Sequence, residues 1–120
     1  YVTIGVTDME KAKTFYTELL ADLGASVLMD IGRIAFIGTG TDAPMLSVCV
    51  PYNEGDPQPG NGNMIAINPG SKENVDKLYH KAIALGATCD GPPGQRIEDM
   101  FYGAYFKDPD GNKIAFYQFG

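Results

Sequence analysis

Few side chains in this sequence carry the chemistry of a catalyst, and their spacing keeps them apart. The one histidine, His80, follows Tyr79 on a segment that reads as helix, where it is a surface or half-buried residue. Cys49 and Cys89 sit in separate strand-like runs without CxxC spacing, so they read as reduced packing residues rather than a metal or redox pair. Cys49 as a nucleophile needs a base, and His80 is on the helix side of the sheet. A Ser-His-Asp set would need that same histidine. Glu98 and Asp99 are adjacent carboxylates in a loop, Asp108 and Asp110 belong to a turn, and Glu10 and Glu73 fall in helix first turns, where they complement the macrodipole. The glycine stretches 38–40 and 60–62 lack the following helix and the lysine of a phosphate loop. What remains is polar and soft. Arg33 can pair an anionic group, and Tyr1, Tyr102, Tyr105 and Tyr117 can stack a flat ligand and hydrogen-bond its edge.

The elements that position these residues follow from periodicity. Residues 2–6 alternate as a strand, and Asp8 is an N-cap for residues 9–23, where Met9, Ala12, Phe15, Tyr16, Leu19, Leu20 and Leu23 form an amphipathic stripe ended by Gly24. Strands are expected at 26–29, 33–37 and 45–50. Residues 51–62 (PYNEGDPQPGNG) are too rich in proline and glycine for either element and read as a linker. The pattern then restarts with a strand at 64–68, Ser71 as N-cap, a helix over 72–85 and Gly86 as its stop. A short strand at 87–89, a loop through 91–94 and strands at 101–106 and 113–119 complete it. Residues 108–112 (DPDGN) read as the bulged loop of a hairpin.

The two halves superpose in sequence. An offset of 63 takes Ile4 to Ile67, Asp8 to Ser71, Glu10 to Glu73 and Tyr16 to Tyr79. Each half is a strand, a helix and three strands, a tandem βαβββ chain of the α+β class. With that repeat, residues 2–16 (VTIGVTDMEKAKTFY), Leu23 with Gly24, and residues 103–116 (GAYFKDPDGNKIAF), the sequence resembles the vicinal oxygen chelate superfamily of glyoxalase I, bleomycin-resistance proteins and extradiol dioxygenases. The resemblance covers essentially the whole chain. It implies one glyoxalase-like domain over 1–120, with module 1 at 1–51, a linker at 52–62 and module 2 at 63–120. The modules would form a rolled open mixed sheet around a central cleft, with helices outside, and the protein would pair as a homodimer.

Alternation decides which residues would face that cleft. It points Tyr1, Thr3 and Gly5 there from the first strand, and Met45, Ser47 and Cys49 from the strand at 45–50. From the second module it points Met64, Ala66 and Asn68, and on the last strand Lys113, Ala115 and Tyr117. With Arg33 added as a cation on the strand at 33–37 and Tyr102 and Tyr105 added as stacking rings, the ligand-binding candidates are Tyr1, Thr3, Arg33, Ser47, Cys49, Met64, Asn68, Tyr102, Tyr105, Ala115 and Tyr117. The resemblance maps the family's four metal-ligand positions onto Tyr1, Ser47, Met64 and Ala115, where the family carries His, Gln or Glu. A phenol, a hydroxyl, a thioether and a methyl do not make a hard-metal site, so no metal or other cofactor is expected.

The net charge of −6 repels phosphate backbones and anionic lipid, which argues against nucleic acid and membrane partners. No apolar run approaches the length of a membrane span and nothing at the start resembles a signal peptide, so a cytoplasmic location is expected. Three functions are compatible with these residues. The first is a metal-free binder of a small, aromatic molecule. The second is an enzyme, which by resemblance would be a glyoxalase-like lyase, an isomerase or a dioxygenase with a displaced metal. The third is a non-catalytic interaction subunit.

Overall fold

Each helix begins on its expected cap. In the computed structural model, which describes residues 1–120, the Asp8 carboxylate accepts a hydrogen bond from the Lys11 amide at 3.1 Å and opens α1, Met9–Leu20. Ser71 Oγ accepts from the Asn74 amide at 3.1 Å and opens α2, Lys72–Ala84. α1 stops three residues before the end of its apolar stripe. The chain tightens into a single 3-10 turn, Ala21–Leu23, which Gly24 closes in the left-handed conformation at φ 81°.

The chain divides into two units, Tyr1–Pro59 and Gly60–Gly120. The division falls inside the proline- and glycine-rich stretch. In the first unit, β1 (Val2–Gly5), α1, β2 (Ser26–Asp30), β3 (Ile34–Gly38) and β4 (Leu46–Cys49) build a mixed sheet of order β1-β4-β3-β2. β1 runs parallel to β4, and the other pairs are antiparallel. In the second unit, β5 (Ile65–Ile67), α2, β6 (Thr88–Ile97), β7 (Phe101–Lys107) and β8 (Lys113–Phe119) repeat the arrangement as β5-β8-β7-β6. The architecture is the expected α+β pair of βαβββ modules, each with one open four-stranded sheet.

Side-chain pairs show which face each helix covers. Lys13 of α1 reaches Asp30 of β2 at 2.6 Å. Asp30 is in register with Ala35, Ala35 with Val48, and Val48 with Ile4, so this row lies under α1. Phe15, Tyr16, Leu19 and Leu20 are buried from the helix side, against buried Ala35, Ile37, Leu46 and Val48. In the second unit the Tyr79 hydroxyl of α2 hydrogen-bonds Cys89 of β6, which is in register with Phe106 and, through it, Ile114. Val75, Leu78, Tyr79 and Ala82 are buried with Ala104, Phe106, Ile114 and Phe116. Each large aliphatic or aromatic group fully buried in this way contributes roughly 1.5–3 kcal/mol.

The segment 91–94 departs from expectation. Gly91, Pro92, Pro93 and Gly94 read as a loop, yet β6 runs unbroken through them from Thr88 to Ile97. β6 is the last strand of its sheet, where proline costs no ladder bond on the open side. The register skips from Gly91 opposite Tyr105 to Gly94 opposite Gly103, so both prolines are absorbed in a bulge.

Candidate ligand-binding faces

The face of each sheet turned away from its helix carries most of the candidate residues. In the first unit Thr3, Ser47 and Phe36 form one row across β1, β4 and β3. Thr3 Oγ1 and Ser47 Oγ are 2.9 Å apart, and Ser47 Oγ also donates to the Val2 carbonyl at 3.2 Å. Ser47 is fully buried, so its hydroxyl is committed within the sheet. Tyr1 is 71% exposed and stands edge-on to Phe36, with ring centroids 4.7 Å apart.

Cys49 lies at the other end of this face, and the face is closed there. It pairs with Gly5, and a Cβ on Gly5 would stand 2.9 Å from Pro57 Cβ and 3.8 Å from Pro51 Cγ. The stretch after β4 therefore folds over this corner and buries the thiol. Arg33 is not brought to the row of Ser47. Its carbonyl accepts from the Val50 amide, its Nη1 donates to the Val50 carbonyl at 2.9 Å, and its guanidinium stacks on Tyr52 at 5.3 Å. Alternation from Ala35 places Arg33 in line with the α1 side.

In the second unit Ala66, Ala115, Tyr105 and Gly91 form the matching row across all four strands. Tyr105 has two cations on its ring, Arg96 at 5.3 Å and Lys113 at 5.1 Å from the centroid. Lys113 is also paired with Asp90 at 3.0 Å. Tyr117 stacks on Phe101, with centroids 5.6 Å apart and planes 4° from parallel, and Phe119 meets both rings edge-on. Met64, just before β5, is 45% exposed. Asn68 follows β5 and accepts from the Gly70 amide at 2.9 Å in the turn leading to α2.

Tyr102 lies on the opposite face from Tyr105. Its hydroxyl donates to the Asp76 carboxylate of α2, and Lys72 of α2 sits 5.6 Å from its ring. That hydrogen bond, and secondarily burial, holds the Tyr102 phenol above its ordinary pKa. Expected to share a ligand site with Tyr105, Tyr102 instead ties β7 to the helix. A loop reading of 91–94 carries no strand phase as far as residue 96, so the sequence alone does not reach Arg96, whereas alternation on β8 already directs Lys113, two residues before Ala115, to this face.

The four positions that the resemblance assigns to metal ligands keep a common geometry. Ser47 lies opposite Thr3, two residues beyond Tyr1, and Ala115 lies opposite Ala66, two residues beyond Met64. Their chemistry does not fit a metal. The Ser47 hydroxyl is spent on Thr3 and Val2, the buried Ala115 methyl has no donor atom, and a phenol and a thioether are weak ligands for hard divalent ions. Nor does any group of three or more His, Cys, Asp or Glu side chains gather elsewhere. His80 is exposed on α2 with its ring edge-on to Tyr79, and Glu98 and Asp99 are exposed in the turn between β6 and β7. No helix is long and apolar enough to cross a membrane.

Comparison with known proteins covers nearly the whole chain. The sequence profile described as "Glyoxalase/Bleomycin resistance protein/Dioxygenase superfamily" matches residues 1–116. Among solved structures, a glyoxalase/bleomycin resistance protein from Albidiferax ferrireducens T118 is 35% identical, with a TM-score of 0.84 over 96% of this chain and 93% of its own. A hypothetical protein from S. aureus is 25% identical, with a TM-score of 0.74 over 96% of this chain and 88% of its own. A glyoxalase/bleomycin resistance protein/dioxygenase family enzyme from Burkholderia phytofirmans PsJN, at 21% identity and a TM-score of 0.78 over 98% and 94%, shares the fold. No curated protein matches.

Proposed function

The chain belongs to the glyoxalase/bleomycin resistance protein/dioxygenase superfamily, and from that premise we propose that it binds a small aromatic molecule without the family's metal. The observation that carries this reading is the substitution of all four ligand positions by groups that hold no hard cation, on sheet faces that keep aromatic rings. Phe36 and Tyr1 on one sheet, and Tyr105, Tyr117 and Phe101 on the other, offer planar apolar surface with hydroxyl groups at the edges. Such surface recognises flat molecules through stacking, at about 0.5–1.5 kcal/mol per ring pair beyond simple burial.

The test is thermal unfolding of the purified full chain against planar aromatic acids, amides and amines, with metal content measured on the same sample. A ligand present at about a hundred times its Kd adds about 2.7 kcal/mol, which raises the Tm by several degrees. Binding that persists after chelator treatment supports the reading. Stoichiometric zinc, nickel, iron or manganese in the untreated protein would overturn it, as would a panel in which no aromatic compound shifts the Tm.

A further inference from the structure

We infer that the helix-free face of the β5-β8-β7-β6 sheet takes an aromatic ligand bearing a negative charge, with Arg96 and Lys113 receiving the anionic group. The inference rests on the binding function proposed above and adds the charge of the ligand. The chain carries 15 acidic against 9 basic side chains, so two cations directed at one ring are against the general balance. Arg96 makes a hydrogen bond to the Pro92 carbonyl and lies over Tyr105, with no carboxylate partner. Its guanidinium has five N–H donors, and the fork geometry suits a carboxylate or similar oxyanion. Lys113 shares the Tyr105 ring while paired with Asp90 at 3.0 Å, which leaves Arg96 as the cation of the two without a carboxylate. Both cations stand close to the Tyr105 ring, so an oxyanion held beside that ring meets positive charge.

The backbone around Tyr105 is shaped for this arrangement. A Cβ on Gly91 would lie 2.8 Å from Tyr105 Cδ2, and a Cβ on Gly103 would lie 2.9 Å from Phe101 Cε1 and 3.4 Å from the Tyr105 hydroxyl. Both glycines are cross-strand partners of large rings, Gly91 of Tyr105 and Gly103 of Tyr117. Side chains at these two positions would push the rings away from the sheet. Without them Tyr105 and Phe101 rest close on the strands, beside the buried methyl of Ala115. The result is a low aromatic floor with a basic edge, which matches a planar ring carrying one oxyanion.

The experiment is isothermal titration of the full chain with 2-naphthoate, 2-naphthamide and 2-naphthylmethylammonium, three probes of one ring system and three charges. We expect naphthoate to bind about tenfold tighter than the amide, the value of one charge-assisted hydrogen bond, and the cation to bind weakest. Arg96→Gln should erase the naphthoate advantage over the amide, and raising salt should do the same in part. Because Arg96 is exposed, an unchanged Tm will show that the variant is folded. Equal binding of acid and amide, or an advantage that survives Arg96→Gln in a folded variant, would overturn the charge assignment and leave the aromatic-binding function standing. Failure of all three probes would overturn both.

Discussion

Asp108 and Asn112 bind each other across the β7–β8 turn through three hydrogen bonds. Asp108 Oδ1 accepts the Asn112 amide at 2.8 Å, Oδ2 accepts Asn112 Nδ2 at 3.0 Å, and the Asp108 amide donates to the Asn112 carbonyl at 2.9 Å. Oδ1 also takes the Asp110 amide at 2.9 Å, and both Asp108 and Asn112 are buried. Gly111 closes the turn at φ 88°. Asp108→Ala removes the acceptor and strands buried donors, a loss of about 3 kcal/mol for a charged hub of this kind. Equilibrium urea unfolding measures it. A loss below about 0.5 kcal/mol, the scale of an ordinary surface change, would mean that the turn does not hold the hairpin.

How much of this was legible follows from the same local logic. The caps at Asp8 and Ser71, the stripes of both helices and the DPDGN turn rely on contacts within a few residues, and the sequence displays them directly. β6 was not legible, because proline in an edge-strand bulge has the same spelling as proline in a loop. That one ambiguity hid Arg96, whose position beside Tyr105 depends on where the bulge restarts the register. Tyr102 and Tyr105 are three apart on one strand and so must face oppositely. Only the anchor on Asp76 of α2 decides which of them faces the helix. Arg33 was expected near the ligand, but the strand phase set by Ala35 turns it toward the α1 side.

Gly5 tests whether the stretch after β4 is fixed to the sheet. A side chain there would collide with Pro57, whose ring cannot rotate away as a flexible side chain could. Gly5→Val should cost about 1–3 kcal/mol, the usual range for overpacking. It should also raise the accessibility of Cys49, read by the rate of reaction with a thiol reagent against wild type. If stability and thiol reactivity are both unchanged, Pro57 does not cover this corner.

Tyr79 supplies a spectroscopic probe of the second core. Its hydrogen bond to Cys89, then burial, then the charge of the Cys89 thiolate push the phenol from 10.0 up to about 12. A group whose pKa is raised on folding adds stability that is fully present below pH 10 and is lost as pH rises through about 12. Cys89→Ala removes the first and third causes, so the last tyrosine to ionise in an absorbance titration should move downward. A titration curve identical to wild type would remove Cys89 as the cause.

Lys13 bridges Glu10 at 2.7 Å and Asp30 at 2.6 Å, joining α1 to β2. Hydrogen bonds to Asp30 and then Glu10 raise the Lys13 pKa, and the bond from Lys13, followed by that from the Gly32 amide, lowers the Asp30 pKa. The Asp30 contribution is present above its unfolded value of 3.8 and fades as pH falls below it. The Lys13 contribution is present below 10.5 and fades as pH rises above it. Lys13→Met should therefore narrow the difference between neutral and acidic stability, by a small amount that high salt reduces further. An unaltered pH profile for the variant would show that the pair contributes nothing measurable.

Gly103 separates the aromatic layer from the rest of the fold. Its φ lies outside the left-handed region, so alanine is compatible with the backbone and the effect falls on neighbouring rings. A methyl group there would meet Phe101 Cε1 at 2.9 Å, the Tyr105 hydroxyl at 3.4 Å and the Phe116 carbonyl at 3.6 Å. Phe101 must move first, and its parallel stack on Tyr117 goes with it. Gly103→Ala should leave the far-UV circular dichroism of wild type in place, change the near-UV aromatic signal, and cost about 1–2 kcal/mol. It should also weaken aromatic binding for acid and amide alike, because the floor rather than the charge is disturbed. Arg96→Gln, by contrast, should weaken the acid more than the amide. If Gly103→Ala leaves the near-UV signal and aromatic binding at their wild-type values, the rings do not form the recognition surface, and the ligand must be sought elsewhere on the protein.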